Sequence, residues 1–501
     1  MNFIWNFPLF TIILSLFSGG LCMILSKKKA RICTVVIEIL LIVLVLNTLF
    51  FVTREGGSFT YVMGEFPAPW GNEIRAGTLE ALLALIFLLV MLSSVLAGIR
   101  FVDMDIDESK INLYYSLVHL MTAAIMAILW TNDIFTGYVF LEILTLAGCG
   151  VLIVREIGRT TLAAVRYMLL NLLGSGLFLL GVVFLYDITG HLLMVPMRES
   201  ILELAEDPQA LKVLTMVTGI ITIGLCVKSG LFPFHFWMPD TYGRATPSSA
   251  SMLSAVVSKT YIFLLIKIYW RVIGLDVMAQ MPVGNILFVL GSCGMVFGSV
   301  AAIRADNINR MVAFSSAAQI GYIYLGIGIG GAEGYTAAIF HIITHAVTKS
   351  LLFLTTPWLA QVSGGRMKCK SLQGSARKDV EAGIFFVTGA LSMVGIPLFA
   401  GFSSKLLFGL SAVEHGSDIK LILTFLSIAV STMLNALYFI RTVIRIYSRP
   451  ETEDSGADEG GSRHPLHYRL PMLLLVTVNV FLGLFSWIAV DLIHKGLDMF
   501  V

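Results

Sequence analysis

Charge is scarce in this sequence: Asp, Glu, Lys and Arg make up 13% of its 501 residues, while 57% are hydrophobic. Mean hydropathy is +0.86. So little charge cannot cover the surface of a soluble fold, and the composition is that of a polytopic membrane protein. An excess of basic charge is also missing. The formal net charge is +2, which removes the electrostatic case for binding nucleic acid. Cysteine is sparse and ungrouped: Cys22, Cys33, Cys149, Cys226, Cys293 and Cys369 contain no Cys-x-x-Cys pair. Iron–sulfur clusters and structural zinc need grouped thiolates. No cofactor, no metal site and no catalytic redox site are therefore expected in this chain. Disulfides find no support, and the thiols read as small apolar core groups. The N-terminus lacks a basic n-region, because Lys27, Lys28, Lys29 and Arg31 follow the first apolar run; no cleavable signal peptide is expected.

Apolar stretches are what the sequence has in abundance. Windows of about 20 residues give about fourteen spans. They lie near 3–25, 32–53, 78–99, 112–131, 133–154, 162–186, 211–238, 248–271, 283–303, 310–330, 334–362, 382–411, 419–447 and 468–493. The seventh, eleventh and twelfth exceed the length of a straight crossing, and each holds an internal Gly or Pro. The loops on the side of Lys27–Arg31 carry Arg100, Lys110, Arg155, Arg159, Arg244, Arg304, Arg310, Arg366, Lys368, Lys370, Arg377, Lys378, Arg445, Arg449, Arg463 and Arg469. The opposite side offers little beyond Arg54, Arg75, Arg198, Lys212, Arg271, Lys420 and Lys495. Basic residues mark the cytoplasmic side. A multi-pass protein of the cell (inner) membrane with both termini on the non-cytoplasmic side is the expectation, and an even number of spans agrees with it.

Between the spans, the acid-rich 100–110 reads as a solvated cytoplasmic turn. Residues 196–208 read as a short amphipathic helix on the outer surface. The acidic, glycine-rich 451–463 reads as a flexible cytoplasmic loop.

One stretch organises the rest: Lys228-Ser-Gly-Leu-Phe-Pro-Phe-His-Phe-Trp-Met-Pro-Asp240. An apolar helix runs into a lysine, then into a glycine and two prolines in an aromatic setting that does not look like a solvated loop. Non-helical backbone at membrane depth survives only where protein or a wet cavity encloses it. The carbonyls at a half-helix C-terminus also favour a cation, which is where Lys228 sits. Span twelve repeats the pattern in Gly395-Ile-Pro-Leu-Phe-Ala-Gly-Phe-Ser-Ser-Lys405. The two breaks are five spans apart, and an odd offset inverts orientation. Spans four to eight and nine to thirteen are thus expected to be inverted repeats. The implied divisions are 1–111 (helices 1–3), 112–275 (first repeat), 276–450 (second repeat) and 451–501 (loop and helix 14).

Further ionisable groups fall within the spans. Glu142 lies near the middle of span five, where a lone carboxylate is costly unless paired; Lys228 is its natural partner, and a packing glutamate is the alternative. Lys259 is too deep in span eight to snorkel, whereas Lys267, nearer the end, is expected to do so. His341, His345 and Lys349 follow at i, i+4 and i+8, one face of span eleven. A His-x-x-x-His pair can bind metal, but no acidic or sulfur ligand accompanies it at suitable spacing. An imidazole titrates near neutral pH, which suits a proton relay better. With Lys405, these groups form a series at similar depth in which moving one charge would switch its neighbour's protonation.

The same residues resemble the antiporter-like subunit family shared by respiratory complex I, Mrp-type sodium/proton antiporters and membrane-bound hydrogenases. The stretch from Lys228 to Asp240, with Ala245-Thr-Pro-Ser-Ser-Ala250 behind it, is similar to the family signature. Arg310-Met-Val-Ala-Phe-Ser-Ser-Ala-Ala-Gln-Ile-Gly-Tyr322, Phe340-His-Ile-Ile-Thr-His-Ala-Val-Thr-Lys-Ser-Leu-Leu-Phe353 and Gly401-Phe-Ser-Ser-Lys405 resemble further family stretches. Span five and Gly174-Ser-Gly-Leu-Phe-Leu-Leu-Gly181 look most like the Mrp D-type subunit and its hydrogenase counterpart. The Pro357 of Thr355-Thr-Pro-Trp358 departs from the small residues of relatives, and the chain stops soon after span fourteen, without the long lateral helix of the largest complex I subunit.

The resemblance implies an all-α membrane fold of about fourteen helices, with helices 7 and 12 broken. It implies that Glu142 is the span-five carboxylate, Lys228 its partner, Lys259 the bridging base, His341 and His345 the relay histidines and Lys405 the terminal lysine. Partners would be other membrane subunits of a multisubunit antiporter, hydrogenase or oxidoreductase complex, together with the lipid bilayer, protons and sodium. Proton movement as an Mrp-type antiporter subunit is the preferred expectation. Three rivals stand beside it: an ion-pumping subunit of a hydrogenase or NADH/ferredoxin-quinone oxidoreductase driven by remote electron transfer, a stand-alone symporter, and a structural scaffold.

Overall fold

The computed structural model describes residues 3–55, 57–66, 71–449 and 464–500. Among them, thirteen helices are long and apolar enough to cross a membrane. The one remaining expected span, the twelfth, is there in two pieces, Val380–Val394 and Ala400–His415, each too short to cross alone. Helices dominate because a helix pairs all of its backbone groups internally, as a bilayer demands. The loop 451–463 lies outside the described residues.

The spans are not equivalent. Pro247–Ile273 and Gly331–Gln361, spans eight and eleven, are enclosed by protein over 100% of their most apolar window, whereas Asp418–Tyr447 is enclosed over 22%. The histidines and most of the lysines singled out above ride on the enclosed helices, away from lipid. Pro357 sits inside the eleventh span without ending it.

Span seven breaks where its Gly and Pro residues fall: Pro208–Ser229, a 3-10 turn at Phe234–Trp237, then Met238–Arg244. The breaks of spans seven and twelve close in the same way. Gly230 and Gly395 take left-handed φ values of 77° and 89°. The next amide in each case reaches back five residues: Leu231 N–H to the Cys226 carbonyl at 3.0 Å, and Ile396 N–H to the Leu391 carbonyl at 3.1 Å. This is the Schellman closure, in which glycine supplies the positive φ that other residues resist.

Other segments differ in detail from expectation. An antiparallel hairpin, Phe59–Val62 with Glu73–Ala76, connects spans two and three, pairing Phe59 with Ala76 and Val62 with Glu73. The expected turn at 100–110 is in large part helix, because span three runs on to Asp105. Its acids are not merely solvated: Asp103 pairs with Arg31, Glu108 with Lys27, and Asp105 with Arg155 at 3.0 Å. The amphipathic helix is found at Met194–Leu204, burying Met194, Met197 and Ile201. Span fourteen ends at Leu484, where Phe485 leaves helical geometry, and a separate helix Ser486–Asp498 follows.

Candidate functional site

The site begins where spans five and seven meet. Lys228 is wholly buried, and its Nζ lies 3.4 Å from Glu142 Oε1, so the expected pair forms. Lys228 does not use the carbonyls of its own half-helix end. Its ammonium donates instead to Thr145 Oγ1 at 2.7 Å and sits 5.3 Å from the centre of the Tyr261 ring. Gly174 on span six makes this possible, since a Cβ there would come within 2.9 Å of Lys228 Cγ. Thr145 Oγ1 is also 3.3 Å from the Tyr261 hydroxyl. Tyr261 lies two residues beyond Lys259, so hydroxyls carry the polar connection from span five to span eight.

Lys259 is buried just past a π-helical segment, Leu253–Val257. Such wide turns recur at functional positions inside α-helices. Its Nζ reaches back to the Ser254 carbonyl and donates to Ser258 Oγ at 3.0 Å. Ser254 Oγ contacts Ser316 Oγ at 2.9 Å. Next along span ten, Ser315 Oγ accepts from Lys349 Nζ, which also donates to the Val312 carbonyl at 3.0 Å. Lys349 thus bonds Ser315 directly, while Lys259 reaches the neighbouring Ser316 only by way of Ser254.

His341, His345 and Lys349 are buried together on span eleven, as their spacing predicts. His341 Nδ1 is 2.7 Å from Ser404 Oγ, and its ring lies 5.4 Å from Tyr322 and 6.0 Å from His345, centre to centre. Neither ring nitrogen of His345 has a hydrogen-bond partner. Gln319, His341, His345, Thr348, Ser392 and Lys405 border a small void of about 10 Å³, which is about the space one water needs.

Lys405 occupies the negative end of a half-helix. Its Nζ donates to the carbonyls of Val394 at 2.6 Å and Met393 at 3.4 Å, and to Thr432 Oγ1 at 2.9 Å. Those carbonyls are left free because the helix stops at Gly395, where a Cβ would press to within 2.9 Å of Lys405 Cδ.

The seven expected residues therefore form three groups: Glu142 with Lys228; Lys259 with Lys349 through serines; and His345, His341 and Lys405 around the void. Among the described residues no direct hydrogen bond joins one group to the next. The sequence alone does not single out Thr145, Tyr261, Ser315, Ser316, Ser404 and Thr432. Only their i±3 or i±4 offsets from an ionisable residue would have marked some of them, such as Thr145 three residues after Glu142.

Lys267 corrects another expectation. It does not snorkel but is fully buried, donating to the carbonyls of Leu129 at 2.9 Å and Thr131 at 2.6 Å. Its helix is at the centre of the bundle, so nearness to a helix end gives no route to water. Asp240, the last residue of the signature stretch, anchors three arginines: Arg166 at 3.0 Å, Arg244 at 3.4 Å and Arg310 at 3.6 Å. It joins the broken seventh span to spans six and ten.

The chain as a whole has counterparts among known proteins. The chain is 32% identical over 445 residues to NADH-quinone oxidoreductase subunit N of Desulforudis audaxviator, covering 86% of each chain. It is 25% identical to a putative antiporter subunit of Staphylococcus aureus, covering 88% of this chain and 84% of that one. Among solved structures it superposes on a chain of the Mrp complex from Dietzia sp. with a TM-score of 0.87 at 22% identity, covering 99% of this chain and 97% of the other. A chain of the archaeal membrane-bound sulfane sulfur reductase gives a TM-score of 0.86 at 24% identity, with coverage of 99% and 97%. Residues 131–431, which hold all seven ionisable residues of the site, match the model of the NADH:quinone oxidoreductase/Mrp antiporter transmembrane family, and this multi-pass membrane chain belongs to that family.

Proposed function

We propose that the chain is a proton-translocating subunit of a multisubunit membrane complex, and that Glu142, Lys228, Lys259, Lys349, His345, His341 and Lys405 carry the proton. The observation that carries this reading is the alternation of buried and part-buried ionisable groups with hydroxyls across spans five to twelve. Burying even one charge in a bilayer is costly, and packing alone would select against such a row. Each ammonium or imidazole has a hydroxyl, a carbonyl or a water-sized void beside it, which is what short proton steps need. Glu142 remains 24% exposed at the chain's surface, where a neighbouring subunit would bias the first group.

The matching Schellman closures at Gly230 and Gly395 support reading 112–275 and 276–450 as inverted repeats, flanked by 1–111 and 451–501. The distribution of Lys and Arg supports placing both termini on the non-cytoplasmic side of the cell membrane. In an Mrp-type complex the counter-ion would be sodium. The 32% identity to an oxidoreductase subunit favours the second reading, in which electron transfer in partner subunits drives the same relay. A symporter would gather its charges round one pocket, and a scaffold would not need the free imidazole of His345.

The test is proton flux in vesicles bearing the intact complex. Lys228→Ala and Glu142→Gln, assembled at wild-type levels, are expected to lose flux; normal flux in both overturns the relay. Iron–sulfur or nickel subunits co-purifying with the chain assign the electron-driven form, and their absence beside active antiport assigns the Mrp form.

A further inference from the structure

Away from the relay, spans one, two and four enclose a second polar cluster. Cys22 lies near the end of the first helix, Cys33 near the start of the second and His119 in the fourth. The hairpin turn between the first two helices brings the cysteines together although no sequence spacing marks them. Cys22 and His119 are wholly buried, and one ligand atom from each of the three residues lies within 4.8 Å of the others. Neither nitrogen of His119 has a hydrogen-bond partner. That is a costly state for a buried imidazole, and a metal would relieve it. Thr34 adds an oxygen 3.8 Å from Cys22 Sγ; its hydroxyl donates to the Ala30 carbonyl, leaving its lone pairs free.

A carboxylate stands one turn further in. Glu38 is buried, and Thr122, three residues beyond His119, donates to its Oε1 at 2.8 Å, while its Oε2 has no partner. Metal-bound histidines are commonly oriented by outer carboxylates; Glu38 makes no hydrogen bond to His119 and would have to turn toward the ring to do so.

We propose that Cys22, Cys33 and His119 form a binding site for a thiophilic divalent cation of the zinc class, with the Thr34 oxygen in the fourth direction. Charge decides the class. Two thiolates and a neutral imidazole around a divalent ion sum to zero, which a low-dielectric bundle tolerates, whereas a monovalent ion would leave a net negative charge. Geometry is close to what is needed: tetrahedral zinc holds its ligand atoms about 3.5 Å apart, so side-chain rotation of about 1 Å completes the site. Each ligand comes from a different span, so the ion would pin the first two helices to the fourth.

The test uses the full chain purified with its native partners, dialysed against Zn²⁺ or Co²⁺. The expected result is about one zinc per chain and, with cobalt, a thiolate-to-metal charge-transfer band. Both should vanish in the joint C22S/C33S variant, and His119→Ala should weaken binding at least about tenfold. Because variants can misfold, the wild-type protein supplies a second readout: zinc should slow maleimide modification of the partly exposed Cys33, and a chelator should restore it. Zinc content equal in wild type and C22S/C33S, labelling indifferent to zinc, or a Cys22–Cys33 disulfide in the purified protein overturns the proposal.

Discussion

Lys228 donates to Thr145 at 2.7 Å, closer than its 3.4 Å approach to Glu142. The hydroxyl, rather than the carboxylate, is the nearest partner of the buried ammonium. Thr145→Val keeps the shape and removes that acceptor, leaving Glu142 as the one charged neighbour of Lys228. Losing a charge-assisted hydrogen bond costs about 1.5–3 kcal/mol, so proton flux in Thr145→Val is expected to fall about tenfold or more, with Thr145→Ser near wild type. Equal flux in the two variants, measured in vesicles, would remove Thr145 from the relay.

Lys267 ties the carbonyls of Leu129 and Thr131 at the end of span four to span eight. Lys267→Met fills similar space but leaves both carbonyls without this donor. At about 1–3 kcal/mol for each buried unsatisfied group, the variant should unfold several degrees lower in a thermal assay of the solubilised complex. A melting temperature unchanged from wild type would mean that water replaces the ammonium, as snorkelling would have predicted.

The boundary between what was legible in the sequence and what was not follows physical lines. The fourteen spans and both breaks could be read because lipid imposes a length on helices and because glycine and proline punctuate them. Glu142 with Lys228 could be read because an intramembrane charge needs a partner. Ser315 and Ser316 could not, and Thr145 only through its place three residues after Glu142: each hydroxyl satisfies itself on its own helix backbone. The position of Lys267 near a helix end misleads, because snorkelling depends on what surrounds a helix, and only the bundle shows span eight at its centre. The cysteines look scattered along the sequence for the same reason, since Cys22 and Cys33 meet across a hairpin and not along a helix.

Topology is testable independently of activity. With the six native cysteines replaced, a cysteine at position 206, next to the amphipathic helix Met194–Leu204, should react with an impermeant maleimide on intact cells. One at position 455 should react only after the membrane is opened. The reverse pattern would invert the orientation that the Lys and Arg distribution supports.

Lys405 separates a proton carrier from a structural cation. Its ammonium holds the carbonyls of Val394 and Met393 at the end of a half-helix, and a fixed positive charge would serve that structural purpose equally well. A relay needs more, because the group must release its proton. Lys405→Arg keeps a cation at the helix end, but guanidinium stays protonated at any accessible pH. Flux should therefore fail in Lys405→Arg as badly as in Lys405→Met, while assembly, measured by subunit recovery, should survive in Arg better than in Met. A lysine that only caps the helix would give the opposite result in flux, with Arg active and Met inactive. Wild-type flux in Lys405→Arg would therefore leave Lys405 as a cap and move the exit to the neighbouring imidazoles of His341 and His345.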